Sequence, residues 1–243
     1  MKNVFFLTVA ALAASLLGCG GSPASAPVPV APVAVPLSTS LLQGIWRSPS
    51  GAASTLSAVV LPNGAMWALI SNASSTRVLK ANFEGQLQGF VGSGKSFTLG
   101  TATSSAISLT ATVVEASSLT GAFSAGTQSE NFSMAYQPRY ASAAQLVDFA
   151  GAWSEVVGPG TVNWSISDQG VITGTRTTGC TYTGALNLRT ERKAVVDVAV
   201  TENCAGAVTL LNGIAVKSED KLAVTMLMTN KDETAAVALS LTH

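Results

Sequence analysis

The chain has 243 residues, 47% of them apolar and only 11% charged, with 13 Lys and Arg against 13 Asp and Glu. A neutral balance without a basic stripe excludes the phosphate-neutralising surface that nucleic acid requires. The one histidine is the last residue, His243, so a Ser-His-Asp or Cys-His arrangement has no internal imidazole to use.

Lys2 precedes an apolar stretch from Val4 to Leu17. That is shorter than the about 20 residues a bilayer crossing takes, and it reads as a secretory signal. It ends in Leu16-Leu17-Gly18-Cys19, which resembles the lipobox of bacterial lipoproteins. The resemblance implies a signal peptide over residues 1–18, cleavage before Cys19, and acylation of the Cys19 thiol and the new amino terminus. The lipid bilayer is then a partner. Gly20 stands where lipoproteins retained in the inner membrane carry Asp. The resemblance therefore implies the outer membrane, on its periplasmic or its outer face. The rival reading is an ordinary signal peptide cut after Ala24-Ser25-Ala26, which puts Pro27 directly after the cut. Without residues 1–18 the chain loses one cation, Lys2, and carries a net charge of −1.

Residues 19–40 form a Pro/Ala-rich tether, with Pro27, Pro29, Pro32 and Pro36 set among Ala and Val. Proline at this density favours extended polyproline II and forbids a packed helix or central strand. At ~3.1 Å per residue the tether reaches roughly 60 Å when extended. Beyond it the sequence reads as a first β domain over 41–137, a linker with a short helix over 138–150, and a second β domain over 151–243.

The two domains read as a duplication. Gly44-Ile45-Trp46 recurs as Gly151-Ala152-Trp153, each after a segment suited to a helical turn (Ser38 to Gln43, Ser142 to Phe149). Pro62-Asn63-Gly64 and Asp168-Gln169-Gly170 are turns in matching places, Asn-Gly being a strong hairpin signal. Phe83-Glu84-Gly85-Gln86-Leu87 matches Tyr182-Thr183-Gly184-Ala185-Leu186, which sets Ala81 against Cys180.

Within each copy the hydrophobic period is two, the signature of strands. Ile107, Leu109, Ala111 and Val113 alternate with Ser108, Thr110 and Thr112; Leu222, Val224, Met226 and Met228 do so with Ala223, Thr225 and Thr229, though Leu227 breaks the polar side. Ser93-Gly94-Lys95, Lys217 to Lys221 and Asn230 to Glu233 read as the punctuation between strands. About eight strands per copy give an all-β fold of two tandem, small, antiparallel up-and-down β-barrels.

With Cys19 acylated, Cys180 and Cys204 remain in an oxidising compartment, where disulfides persist. A hairpin turning at Thr190-Glu191-Arg192-Lys193 sets Cys180 opposite Cys204, Gly184 opposite Val200, Leu186 opposite Val198 and Leu188 opposite Val196. All share one parity and hence the apolar face, close enough for a cross-strand disulfide.

Few residues invite chemistry. Glu219-Asp220 and Asp232-Glu233 fall in turns and read as solvated charge, and Gly158-Pro159-Gly160 is turn punctuation, not a phosphate loop. No catalytic, metal or cofactor site is expected. Trp46 and Trp153 are candidates for a core plug or for the floor of a ligand pocket. Gly-x-Trp on a first strand resembles the opening motif of lipocalins, eight-stranded barrels that hold small apolar ligands. The lipobox, tether and barrels together resemble Gram-negative surface lipoproteins of the transferrin-binding and factor-H-binding types. Those resemblances imply a non-catalytic binding or interaction module for an envelope or host protein, or for a small apolar ligand. A structural or assembly component of the envelope is the alternative. Trp67, Trp164 and Phe90 fall on strands whose outward side would carry aromatics.

Overall fold

The computed structural model describes residues 34–52, 54–101 and 103–243. The signal segment, Cys19 and the tether up to residue 33 lie outside the described residues. The first eight strands are β1 (Gly44–Arg47), β2 (Thr55–Val60), β3 (Ala65–Ser71), β4 (Thr76–Gln86), β5 (Gly89–Thr98), β6 (Ser104–Val114), β7 (Ser118–Ala125) and β8 (Gln128–Tyr136). The second eight are β9 (Gly151–Val157), β10 (Gly160–Ile166), β11 (Val171–Arg176), β12 (Cys180–Leu188), β13 (Val196–Cys204), β14 (Ala207–Lys217), β15 (Ala223–Asn230) and β16 (Ala236–Thr242). Each set closes into an antiparallel barrel in which chain neighbours are sheet neighbours. The fold is all-β, two small up-and-down barrels in tandem.

Alternation decides which residues fill the barrels. Ile107, Leu109 and Ala111 enter the first core and Val224, Met226 and Met228 the second, whereas Leu222, read as inward with them, precedes β15 and is exposed. Indoles, rings and branched side chains pack both lumens, among them Trp46, Met66 and Phe83 in one and Trp153, Trp164 and Ile172 in the other. The outward positions Thr110 and Thr112, and Thr173, Thr175, Thr181 and Thr183, are exposed. An apolar inside and a hydroxylated outside is the reverse of a membrane-spanning barrel.

Closure is the thinnest part of each ladder. β1 meets β8 through Trp46↔Tyr136 and Arg47↔Ala135, and β9 meets β16 only through Thr242↔Ser154. Glu155 supplements the second junction by accepting the Ser240 backbone N–H at 2.6 Å. Burial lifts that carboxyl above its usual range, against the pull of the hydrogen bond.

Two readings from sequence need correcting. Ser93-Gly94-Lys95 is not a turn but the middle of β5, and the turn falls before Gly89 instead. Gly94 faces the lumen, where a Cβ would stand 2.1 Å from the Lys80 carbonyl oxygen. The glycine is there for close strand approach, a use that turn-seeking rules misread. The repeat register also shifts. The Phe83 N–H donates to the Gly64 carbonyl at 2.9 Å, and the Leu186 N–H to the Gly170 carbonyl at 2.8 Å. Phe83 is thus the counterpart of Leu186, not of Tyr182: the second hairpin is shorter than the first, but by less than the Tyr182 match assumes. The same step back along each strand puts Arg77, not Ala81, where the second barrel has Cys180.

The linker is two 3-10 turns, Pro138–Ala141 and Leu146–Phe149, rather than one helix. Its Tyr140 is buried in a third apolar cluster that belongs to neither lumen.

Candidate functional site

Each plug is built the same way. A 3-10 turn, Thr39–Leu42 or Leu146–Phe149, lies across the end of its barrel just before the first strand. The Trp46 indole N–H donates to the Leu42 carbonyl at 2.9 Å, and that of Trp153 to the Phe149 carbonyl at 2.8 Å. A buried indole whose one donor is satisfied by its own turn is core, and both tryptophans are fully packed. Tyr136 meets Trp46 edge-on at 5.4 Å. The terminal His243 lies on Trp153 with ring centroids 3.6 Å apart. Its Nδ1 is 3.0 Å from the Ala152 carbonyl oxygen. The Lys217 ammonium also rests over that indole, at 5.2 Å.

The cysteines behave as the hairpin register requires. Cys180 pairs with Cys204, Gly184 with Val200, Leu186 with Val198 and Leu188 with Val196. The two sulfurs are bonded, with Cα atoms 4.2 Å apart. Glu202 lies beside the disulfide, but its carboxylate accepts the Tyr182 hydroxyl at 2.7 Å. Burial first, and that bond second, push the Tyr182 phenol above its usual range. The first barrel fastens the matching strand differently: Arg77 pairs with Glu130 at 2.6 Å and lies over the Phe123 ring.

Sequence reasoning missed the seam between the barrels. Of the three tryptophan and phenylalanine positions read as outward, Phe90 and Trp164 point into the lumens. Trp67 does face outward, but against the other barrel. Among the described residues eleven buried ones form this layer, with Ile45, Val59, Trp67 and Phe97 on one side and Ile214, Val216 and Leu227 on the other. Leu227 breaks the polar alternation of β15 for this reason. Fully burying each such side chain contributes about 1.5–3 kcal/mol, so the layer outweighs any surface ion pair.

Glu233 clamps the seam's rim. Its carboxylate takes the Lys80 ammonium at 2.6 Å and lies 3.7 Å from that of Lys95, so it is not merely solvated turn charge. Lys80 in turn covers the Trp67 ring at 4.9 Å. The hydrogen bond from Lys80 is the main cause holding the Glu233 carboxyl below its usual range. A carboxyl depressed in the fold contributes stability above its unfolded pKa and loses it as pH falls through the folded one. Glu233→Gln is therefore expected to lower stability by no more than about 1 kcal/mol at neutral pH, since the groups are part-exposed. Urea titrations over a pH series should show that difference vanish in acid.

At the opposite rim the seam opens into a pocket of about 100 Å³. Ile45, Val59 and Leu227 floor it, while Arg47, Arg139 and the hydroxyl residues Ser57, Ser218 and Thr225 line it. Arg47↔Ser57 is a cross-strand pair of β1 and β2, so both side chains leave the same face. Arg139 comes from the first linker turn and is anchored by donating to the Lys217 carbonyl. Burial first, and the neighbouring Arg47 charge second, push the Arg139 guanidinium below its usual range, with Glu219 opposing. Neither arginine forms an ion pair among the described residues. An adjoining concavity of about 440 Å³ shares Arg139 and Ser218; there Lys221 pairs with Asp148 at 2.8 Å, and Glu219, whose charge acts on Arg139, is also in the lining. The small pocket's lining has cations only.

No family model, no curated protein and no solved structure matches the chain.

Proposed function

We propose that this protein is a lipid-anchored component of the bacterial cell envelope, fastened to the outer membrane through acylated Cys19, whose double barrel is a non-catalytic binding module. The observation that carries the binding reading is the seam pocket. A packed β scaffold holds Arg47 and Arg139 at one cleft whose lining has no carboxylate; among the described residues neither forms an ion pair, and Glu219, outside the lining, offsets Arg139 less than Arg47 burdens it. That charge is available to a partner. Filled lumens turn recognition toward the exterior and away from an apolar ligand inside a barrel. Leu16-Leu17-Gly18-Cys19 supports the anchor; each buried methylene adds about 0.8 kcal/mol, so several acyl chains hold firmly where one does not.

Expressed as the full chain in a Gram-negative host fed labelled palmitate, the protein is expected to carry label in the membrane fraction. Cys19→Ser should move it, unlabelled, to the soluble fraction. A wild-type chain with an unmodified amino terminus beyond Ala26 would remove the anchor. Using the full-length C19S chain as bait on envelope extract, stoichiometric capture of a defined partner supports a protein-binding role. Absence of saturable capture favours a purely structural one.

A further inference from the structure

We propose that the pocket between the barrels binds the oxyanion end, carboxylate or phosphate, of a small amphipathic anion held between Arg47 and Arg139. This deepens the binding-module reading and rests on it.

Three observations converge. The first is charge: two guanidiniums and no carboxylate line one pocket, and Arg47 acts on Arg139 more strongly than Glu219, outside the lining, offsets it. Arg139 is half-buried and Arg47 exposed, so their repulsion is partly screened yet still costs some stability unless an anion neutralises it. Elsewhere on the same seam the protein does neutralise them, setting Glu233 against Lys80 and Lys95. The second is donor geometry. Arg139 spends part of its guanidinium on the Lys217 carbonyl, which fixes the group. A guanidinium has five N–H donors, and its fork matches a planar carboxylate or a phosphate face. Ser57, Ser218 and Thr225 add hydroxyls around the same space. The third is size and floor. About 100 Å³ is room for roughly three waters at ~30 Å³ each, or for one oxyanion with a short apolar stub. Ile45, Val59 and Leu227 supply the apolar contact such a stub would cover.

The test is calorimetric titration of the full-length chain in low-salt buffer free of oxyanions. Three probes are used separately: inorganic phosphate, hexanoate and dihexanoyl phosphatidylglycerol. Saturable one-to-one binding of any probe is expected, weakened about tenfold or more by Arg47→Gln and by Arg139→Gln, since each removes charge-assisted hydrogen bonds. Phosphate alone marks a free inorganic anion, hexanoate alone an organic acid, and the lipid alone a headgroup. Failure of all three probes, or binding that both variants leave unchanged, overturns the proposal. It would leave the protein-binding reading to be judged by its own pull-down.

A second readout separates a binding role from a structural one. Without added anion, R47Q is expected to raise the melting midpoint by about 1–2 °C by relieving repulsion, and to abolish the rise that the bound probe causes in the wild type. A lowered midpoint in that buffer would make Arg47 a structural residue and overturn the assignment.

Discussion

Trp46→Ala and Trp153→Ala are each expected to destabilise the protein by about 3–5 kcal/mol, the usual range for deleting a large buried aromatic. Both indoles sit fully packed at the end of a filled lumen, where the surrounding strands are hydrogen-bonded and cannot collapse into the gap. Each truncation also strands a carbonyl, of Leu42 or of Phe149, that now receives the indole N–H. In a body of this size, about 3–5 kcal/mol corresponds to a melting midpoint roughly 6–20 °C lower. Single domains are stable by only about 5–15 kcal/mol, so the double variant is expected not to fold. Trp→Phe at either site keeps most of the volume and loses the donor; a fall of about 1–2 kcal/mol is expected there. Circular dichroism melts of the four single variants, and a spectrum of the double one, check this. Near-wild-type midpoints for both alanine variants would mean that the indoles are not plugs.

Removing the disulfide, by Cys180→Ala with Cys204→Ala or by reductant, is expected to cost about 3 kcal/mol on the chain-entropy model, for a sequence separation of 24. The bond joins β12 and β13, which lie side by side in the second barrel. It keeps that hairpin from dispersing when the chain unfolds, so its loss widens the unfolded ensemble. A single cooperative transition shifted down is the expected result. The seam's eleven buried residues link the barrels, so unfolding the second exposes apolar surface of the first. Urea melts followed by far-ultraviolet dichroism and by tryptophan fluorescence report both events. Two separated transitions would show that the seam is weaker than its burial indicates. The first barrel has no such staple: its Arg77–Glu130 pair is part-exposed at the glutamate, which places it in the range of about 0–1 kcal/mol.

Sequence patterns were readable where one rule applied alone. Period-two alternation found the lumen-facing side chains, and the parity of Cys180, Leu186 and Leu188 against Val196, Val198 and Cys204 set a register that the structure reproduces pair by pair. Rules failed where two pressures share a residue. Glycine signals both turns and close packing, and at Gly94 packing won. Hairpin length varies freely between repeats, so matching Phe83 to Tyr182 on the nearby shared glycine slipped the alignment by four residues. The pocket left only one hint, the apolar Leu227 on the polar side of β15, and nothing local says that the cover is another barrel.

The sequence by itself determined most of the strands, most inward faces and the disulfide, because those follow from local periodicity and from residues that are neighbours on adjacent, consecutive strands; it marked both tryptophans, and the structure made them plugs. Only the tertiary structure decided that the barrels share a buried layer and that Arg47 meets Arg139 at its rim. It also decided that His243 comes to rest on Trp153. Those groups are brought together by the rigid placement of distant segments. That placement depends on the shape of finished surfaces, which no short-range pattern in the chain records.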